Sequence, residues 1–120
     1  MDYTKKIMHQ SNYWYNDGLG KAKIRDMSGA IVSLRRSLQY NRGNIAARNL
    51  LGLVYYGRGE VAEALVEWII SKNLRPRDNI ANEYIQRIQD ASGELEVINQ
   101  AVKNTISVSL TVSRMGKILR

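Results

Sequence analysis

The sequence predicts an all-α protein built from about three stacked antiparallel helical hairpins. Three observations lead to this prediction. Small and bulky side chains recur at an offset of 34 positions, the segment 60–73 carries apolar residues at helical spacing, and the single proline, Pro76, falls between predicted helices. A period of this length is typical of proteins in which each helical pair buries its apolar face against the next pair.

The repeat is visible in identical residues that align at the 34-residue offset. The pairs are Gly18 with Gly52, Leu19 with Leu53, Ala30 with Ala64, Val32 with Val66 and Ser37 with Ser71. Glycine and alanine suit positions where the two helices of a hairpin approach closely. Leu34 and Trp68, again 34 positions apart, are expected to be the bulky side chains that fill the space one turn further along.

These patterns predict six helices, near residues 4–23, 27–40, 45–57, 60–73, 79–91 and 94–105. Asn44 and Asp78 are expected to cap the helices that follow them, since their side chains accept hydrogen bonds from the first amides of a helix. Gly59 and Gly93 are expected in the turns within hairpins, where a left-handed backbone is needed. Acidic residues open the second helix of each pair, where the helix dipole favours negative charge: Asp26, Glu60 and Glu94.

At these positions the chain resembles the tetratricopeptide repeat family. The copy over residues 45–78 has the family pattern in Leu51-Gly52, Tyr55, Gly59, Ala64, Trp68 and Pro76. The copy over 11–44 keeps Trp14, Gly18, Ala30 and Leu34, and departs from the pattern at Asp17, Lys21 and Arg42. The copy over 79–105 keeps Gly93 and its apolar positions, but has Gln86 and Ile98 where the family has small residues.

The resemblance implies a right-handed superhelix whose concave groove binds a peptide or a partner helix, with no enzymatic activity and no cofactor. The positions that would face this groove are Asn12, Tyr15, Leu19, Asn49, Leu53, Tyr56, Glu83 and Arg87. Family members that bind chaperones hold a terminal carboxylate in a clamp of Lys, Arg and Asn. The matching positions here carry Tyr15, Leu19, Leu50, Ile80 and Tyr84, so we expect no binding to chaperone C-termini.

Composition limits the other classes of function. The chain has no cysteine and one histidine, His9, which leaves no cysteine nucleophile and no common zinc constellation. Glu60, Glu63 and Glu67 share one face of a predicted helix, a spacing that fits solvated carboxylates better than a metal site. We expect neither catalysis nor a bound metal.

The charge is uneven, which leaves nucleic-acid binding as an alternative. The net charge is +7, and residues 1–42 hold eight Lys or Arg against three Asp or Glu. This favours an acidic partner surface or weak attraction to phosphate. Tyr13, Trp14 and Tyr15 near Lys21, Lys23 and Arg25 could form a stacking platform for a single strand. The segment Gly18-Leu19-Gly20-Lys21 resembles a phosphate loop only in part, because Ala22 replaces the Ser or Thr.

Residues 105–113 conflict with the helical prediction, because polar and apolar residues, many of them β-branched, alternate strictly in Thr-Ile-Ser-Val-Ser-Leu-Thr-Val-Ser. Such alternation is typical of a strand and makes self-association through this segment an alternative. We therefore leave the conformation of the tail, 106–120, open within a single domain over 1–120. We see neither a secretory signal nor an apolar run long enough for a membrane span, and expect a cytoplasmic protein.

Overall fold

A computed structural model describes residues 2–105 of the chain, with side chains described for residues 2–93. It contains the helices α1 Tyr3–Lys23, α2 Met27–Tyr40, α3 Ile45–Gly57, α4 Val61–Leu74 and α5 Ala81–Thr105. The described residues form helices and connecting turns and no strand, which confirms the all-α prediction for this part of the chain. The first four helices lie within a residue or so of their predicted bounds.

The first four helices form two hairpins. Helix α1 packs against α2, α3 packs against α4, and the hairpins meet mainly where α2 contacts α3. The core is apolar and lies between these helices; fully or nearly fully buried members are Ala30, Leu34, Ala47, Leu51, Val54, Ala64 and Trp68. Each hairpin therefore buries side chains against the next, as the repeat in the sequence predicts.

Close contact inside each hairpin is made at the same repeat position. A Cβ atom added to Gly18 would lie 2.7 Å from Leu34 Cγ, and one added to Gly52 would lie 2.6 Å from Trp68 Cδ1. Neither glycine can carry a side chain unless the facing residue moves, because carbon atoms pack at about 3.5–4.0 Å. The predicted pairing of small and bulky residues is confirmed in both hairpins.

The turns inside the two hairpins are also equivalent. At the end of α3, the amides of Gly59 and Glu60 donate to the carbonyls of Tyr56 and Tyr55, both at 2.9 Å. The equivalent residues at the end of α1, 34 positions earlier, are Arg25 and Asp26. Their amides donate to the carbonyls of Ala22 and Lys21 at 3.0 and 2.9 Å. This pattern is the Schellman motif, which places one residue in the left-handed region. That residue is Gly59, with φ of 80°, in one turn and Arg25, with φ of 64°, in the other.

Arg25→Gly should raise the free energy of unfolding by up to about 1 kcal/mol, because a left-handed backbone strains any residue with a Cβ and hardly strains glycine. Urea denaturation followed by circular dichroism measures this difference. Arg25→Ala is the matched control, since it removes the charge and keeps the Cβ. An equal gain in both variants would show that the guanidinium, and not the backbone, limits stability at this turn.

The predicted break at Gly93 is wrong, since α5 runs without interruption from Ala81 to Thr105. A single glycine costs a helix only about 1 kcal/mol relative to alanine, and no proline follows to stop the chain. Gly93 also lacks the left-handed φ that Gly59 shows. The described residues consequently hold two hairpins and one long helix, in place of a third hairpin over 79–105.

By its internal contacts the chain divides into two compact units, residues 1–83 and residues 84–120. The first contains both hairpins and the start of α5, and the remainder of α5 belongs to the second. Of the alternating segment 105–113, the structure describes only Thr105. Self-association of the chain through this segment therefore stays a prediction.

None of the helices in the described part has the length and apolar character that crossing a membrane requires.

Candidate functional site

The residues predicted for the groove on α1 lie on one face of that helix. Asn12, Tyr15 and Leu19 follow each other at intervals of three and four residues, which places them above one another on the helix. Asn12 is exposed, and Tyr15 and Leu19 are half-buried. Two large side chains on this face thus retain surface that a partner can reach.

The corresponding residues on α3 divide into two kinds. Leu53 and Tyr56 are 39% and 51% exposed, while their neighbours Val54 and Tyr55 face the core at 3% and 6%. Asn49 is only 9% exposed, so its placement as a groove contact is wrong. Asn49 lies four residues before Leu53 and so on the same side of α3, but near the start of the helix this side is covered by Asn79, which precedes α5.

Glu83 and Arg87 are exposed residues of α5. Glu83 belongs to the first compact unit and Arg87 to the second. Both side chains take part in interactions of their own. The groove assignment of these two residues stays a prediction.

The buried Asn49 belongs to a polar cluster centred on Asn79. The Asn49 amide donates to Asn79 Oδ1 at 2.9 Å, and the same oxygen accepts from the Ala81 amide at 3.0 Å. The Asn79 Nδ2 group donates to the Ser71 hydroxyl at 2.9 Å and to the carbonyls of Ser71 and Arg75 at 3.1 Å. One buried side chain thereby joins α3, the end of α4 and the start of α5.

A similar cluster joins α1, α2 and the start of α3. Asn44 caps α3 by accepting from the Ala47 amide at 3.1 Å, and its Nδ2 donates to Ser11 Oγ at 2.9 Å. The hydroxyls of Ser11 and Ser37 each donate to the other residue's carbonyl, at 2.9 and 2.6 Å. Asn44 Nδ2 also lies 3.4 Å from Asn12 Oδ1, which links Asn12, one of the residues predicted for the groove, to this cluster.

The predicted cap at Asp78 is wrong by one residue. Asp78 has a φ of 52° and is exposed, whereas Asn79 is buried and accepts from the helix. The chemistry explains the shift, because the site presents the carbonyl oxygens of Ser71 and Arg75. An amide offers N–H donors to them, and a carboxylate would only repel them.

Two of the three departures from the family pattern in the first hairpin, Asp17 and Lys21, form a polar cluster with Ser33. Lys21 Nζ lies 2.8 Å from Asp17 Oδ2 and donates to Ser33 Oγ at 3.0 Å, and the Ser33 hydroxyl donates to Asp17 at 2.5 Å. Hydrogen bonds from Lys21 and then from Ser33 hold the pKa of the Asp17 carboxyl below its usual value. Ser33 is completely buried, which leaves its hydroxyl inaccessible to a substrate.

This cluster also bears on the interpretations that involve phosphate. The segment Gly18–Lys21 lies inside α1, with Gly18 buried against Leu34, so it is not a phosphate-binding loop. Lys21 is paired with Asp17, which reduces the free positive charge near Trp14. The Trp14 ring is itself half-buried, with the Arg36 guanidinium 4.6 Å from its centroid.

The other titratable residues that the sequence singled out lie apart. His9 is exposed on α1. Glu60 pairs with Arg58 at 3.2 Å and Glu67 with Arg48 at 2.9 Å, so these carboxylates point to different partners. Over residues 2–93, no three His, Asp or Glu side chains are grouped closely enough to hold a metal ion.

A cleft of about 490 Å³ lies between α2, α3 and α4 and was not predicted from the sequence; we call it the arginine cleft. Its lining includes Arg35, Leu38, Arg42, Arg48, Leu51 and Glu67. These residues come from three helices and one loop, and no spacing along the chain connects them. The excess of basic residues over 1–42 includes Arg35 and Arg42, but it does not show which cations come together.

Comparison with known proteins does not assign the chain to a family. No model of a protein family matches the sequence, and a search of curated proteins finds no match.

Proposed function

We propose that this chain is a non-enzymatic protein-binding module of the tetratricopeptide type, which binds a peptide or a partner helix along α1 and α3. The observation that carries the proposal is the exposure of Leu53 and Tyr56 on α3. These two large side chains lie three residues apart on one helix face, while Gly52, Val54 and Tyr55 beside them are buried. Tyrosine is among the residues enriched in binding hot spots, and Leu53 adds exposed apolar surface next to it.

The repeat geometry supports the proposal. Leu19 on α1 is equivalent to Leu53 on α3, and each helix is held to its second helix by a glycine against a bulky side chain. Helices α1 and α3 also contact each other directly. In a tetratricopeptide-like superhelix the two faces would line one groove, with Tyr15 beside Leu19 and the partner's apolar side chains between the helices.

Replacing Leu53 and Tyr56 together by alanine should weaken peptide binding at least about tenfold, because each truncation removes apolar contact worth on the order of 1–2 kcal/mol. Peptides are first selected from a random display library on the wild-type protein. Their affinities for each variant are then measured by fluorescence anisotropy. Both side chains are exposed, so the melting curve of the double variant should stay close to that of the wild type.

Val66→Ala with Ile69→Ala is the matched control. These residues are 53% and 47% exposed on α4, and their truncation removes similar apolar surface from another helix of the same hairpin. Binding that survives the α3 substitutions, or that is lost with the α4 substitutions instead, would contradict the proposed groove. Failure to select any peptide on the wild-type protein would contradict the proposed function as a whole.

A further inference from the structure

We infer that the arginine cleft is a second binding site, for an acidic segment of a partner protein that presents a carboxylate beside an apolar side chain. The cleft is lined by α2, α3, α4 and the loop between α2 and α3, and shares no residue with the face formed by Leu53 and Tyr56. The inference is therefore independent of the groove proposed above.

The charges in the cleft do not balance. Of its three guanidinium groups, that of Arg48 is paired with Glu67 at 2.9 Å, and both side chains are largely buried. The Arg48 Nε atom also donates to the Arg42 carbonyl at 3.0 Å, so the charge of Arg48 is balanced by Glu67 and two of its nitrogen atoms are bound. Arg35 and Arg42 have no carboxylate partner among the described residues. Two exposed cations at one cleft create a local positive potential that attracts an anionic group.

One of the two unpaired guanidinium groups, that of Arg35, is held in position. It lies 5.8 Å from the centroid of the Tyr55 ring, a cation–π contact across α2 and α3. At Arg42 the backbone is fixed, because its carbonyl accepts a hydrogen bond from Arg48. A guanidinium that is already ordered loses less conformational entropy when it binds, and its planar fork matches a carboxylate with two hydrogen bonds.

The floor of the cleft is apolar, which is why we expect the partner to present an apolar side chain beside its carboxylate. Leu38 and Leu51 line it. Leu38 keeps a small exposed patch of hydrocarbon, at 9%, and Leu51, at 1%, belongs to the core behind it. A cleft of this volume holds a few side chains of a peptide. Apolar walls lower the local dielectric constant, which strengthens a carboxylate–guanidinium contact made beside them.

A nucleic acid fits the cleft less well. No aromatic side chain lines it in the described part of the chain, and Tyr55 is buried beneath Arg35, so a base finds no ring to stack on. The backbone of a nucleic-acid strand is bound best by a continuous row of cations, and the described residues give the cleft only two that are unpaired, Arg35 and Arg42. Two arginines suit the carboxylate of a single acidic side chain better than a chain of phosphates.

The test is a selection from a random peptide library on the Leu53→Ala, Tyr56→Ala protein, which removes binders of the α3 face. We expect enrichment of Asp or Glu next to Leu, Ile or Phe. Selected peptides should bind the same protein carrying Arg35→Gln and Arg42→Gln at least about tenfold more weakly. Lys5→Gln with Lys6→Gln removes the same net charge from exposed positions on α1 and should leave the affinity unchanged.

Charge reversal provides the second variant. Selection on a protein with Arg35→Glu and Arg42→Glu should recover basic peptides in place of acidic ones. Recovery of no acidic peptides on the unreversed protein would overturn the inference, and so would equal binding by the Arg→Gln pair. The selection could also yield no acidic peptides while a single-stranded oligonucleotide binds tightly and depends on Arg35 and Arg42. That result would overturn the inference and identify the ligand of the cleft as a nucleic acid. If the protein with both Arg→Gln substitutions fails to fold, the affinities are compared with those of Arg42→Gln alone.

Discussion

Trp68→Ala should lower the free energy of unfolding by about 3–5 kcal/mol, the range for removing a large buried aromatic side chain. Trp68 is 2% exposed and fills the space that Gly52 leaves open on α3. Its Nε1 group also donates to the Asn49 carbonyl at 3.2 Å, so the substitution removes a contact between the two helices of the hairpin. Chemical denaturation followed by circular dichroism measures the loss.

A second substitution shows whether the loss arises at this contact. Gly52→Ala alone should destabilise the protein by about 1–3 kcal/mol, because the added methyl group meets the indole. In the Trp68→Ala protein the same change should cost nothing, since the methyl group then enters a cavity. Additive effects of the two substitutions would mean that the glycine and the tryptophan do not share a contact.

Asn79→Ala should lower the free energy of unfolding by about 2–4 kcal/mol, combining the loss of a helix cap with buried polar groups left unpaired. The Asn49 amide would lose its acceptor, and the Ser71 and Arg75 carbonyls would lose their donor. The Ala81 amide at the start of α5 would lose its acceptor as well. The same denaturation measurement applies.

Asn73→Ala is the control for this substitution, because Asn73 is exposed on α4. Its replacement should change the stability by less than about 0.5 kcal/mol, the usual range for surface positions. Equal effects at Asn73 and Asn79 would show that the buried cluster does not contribute to stability.

The fold was predictable at positions where the local geometry accepts only one kind of residue. Gly52 opposite Trp68 and Asn44 at the start of α3 were predicted correctly, because a close approach requires a small residue and a helix start requires a side-chain acceptor. Gly93 was not, because a glycine is compatible with both a turn and a helix interior. Asp78 was misplaced because aspartate and asparagine cap helices equally well in isolation, and only the carbonyls around the site distinguish them.

The candidate site was less predictable than the fold. The family resemblance implies that Leu53, Tyr56 and Asn49 face the groove. Leu53 and Tyr56 are exposed, but the resemblance cannot show that Asn49 is buried in a hydrogen bond with Asn79, far along the chain. The arginine cleft depends on side chains from α2, α3 and α4 that come together only after the hairpins pack. Arg35 and Arg42 are seven residues apart on the chain and show no motif.

The asparagine clusters limit how a chain of this kind can gain or lose repeats. The side-chain amides of Asn44 and Asn79 donate to the hydroxyls of Ser37 and Ser71 in the preceding helix. A recombination event that separates such a serine from its asparagine would take a hydrogen bond away from each of two buried side chains. Duplications and deletions are therefore tolerated only with cut points that keep each pair together, so that the array changes length by whole hairpins.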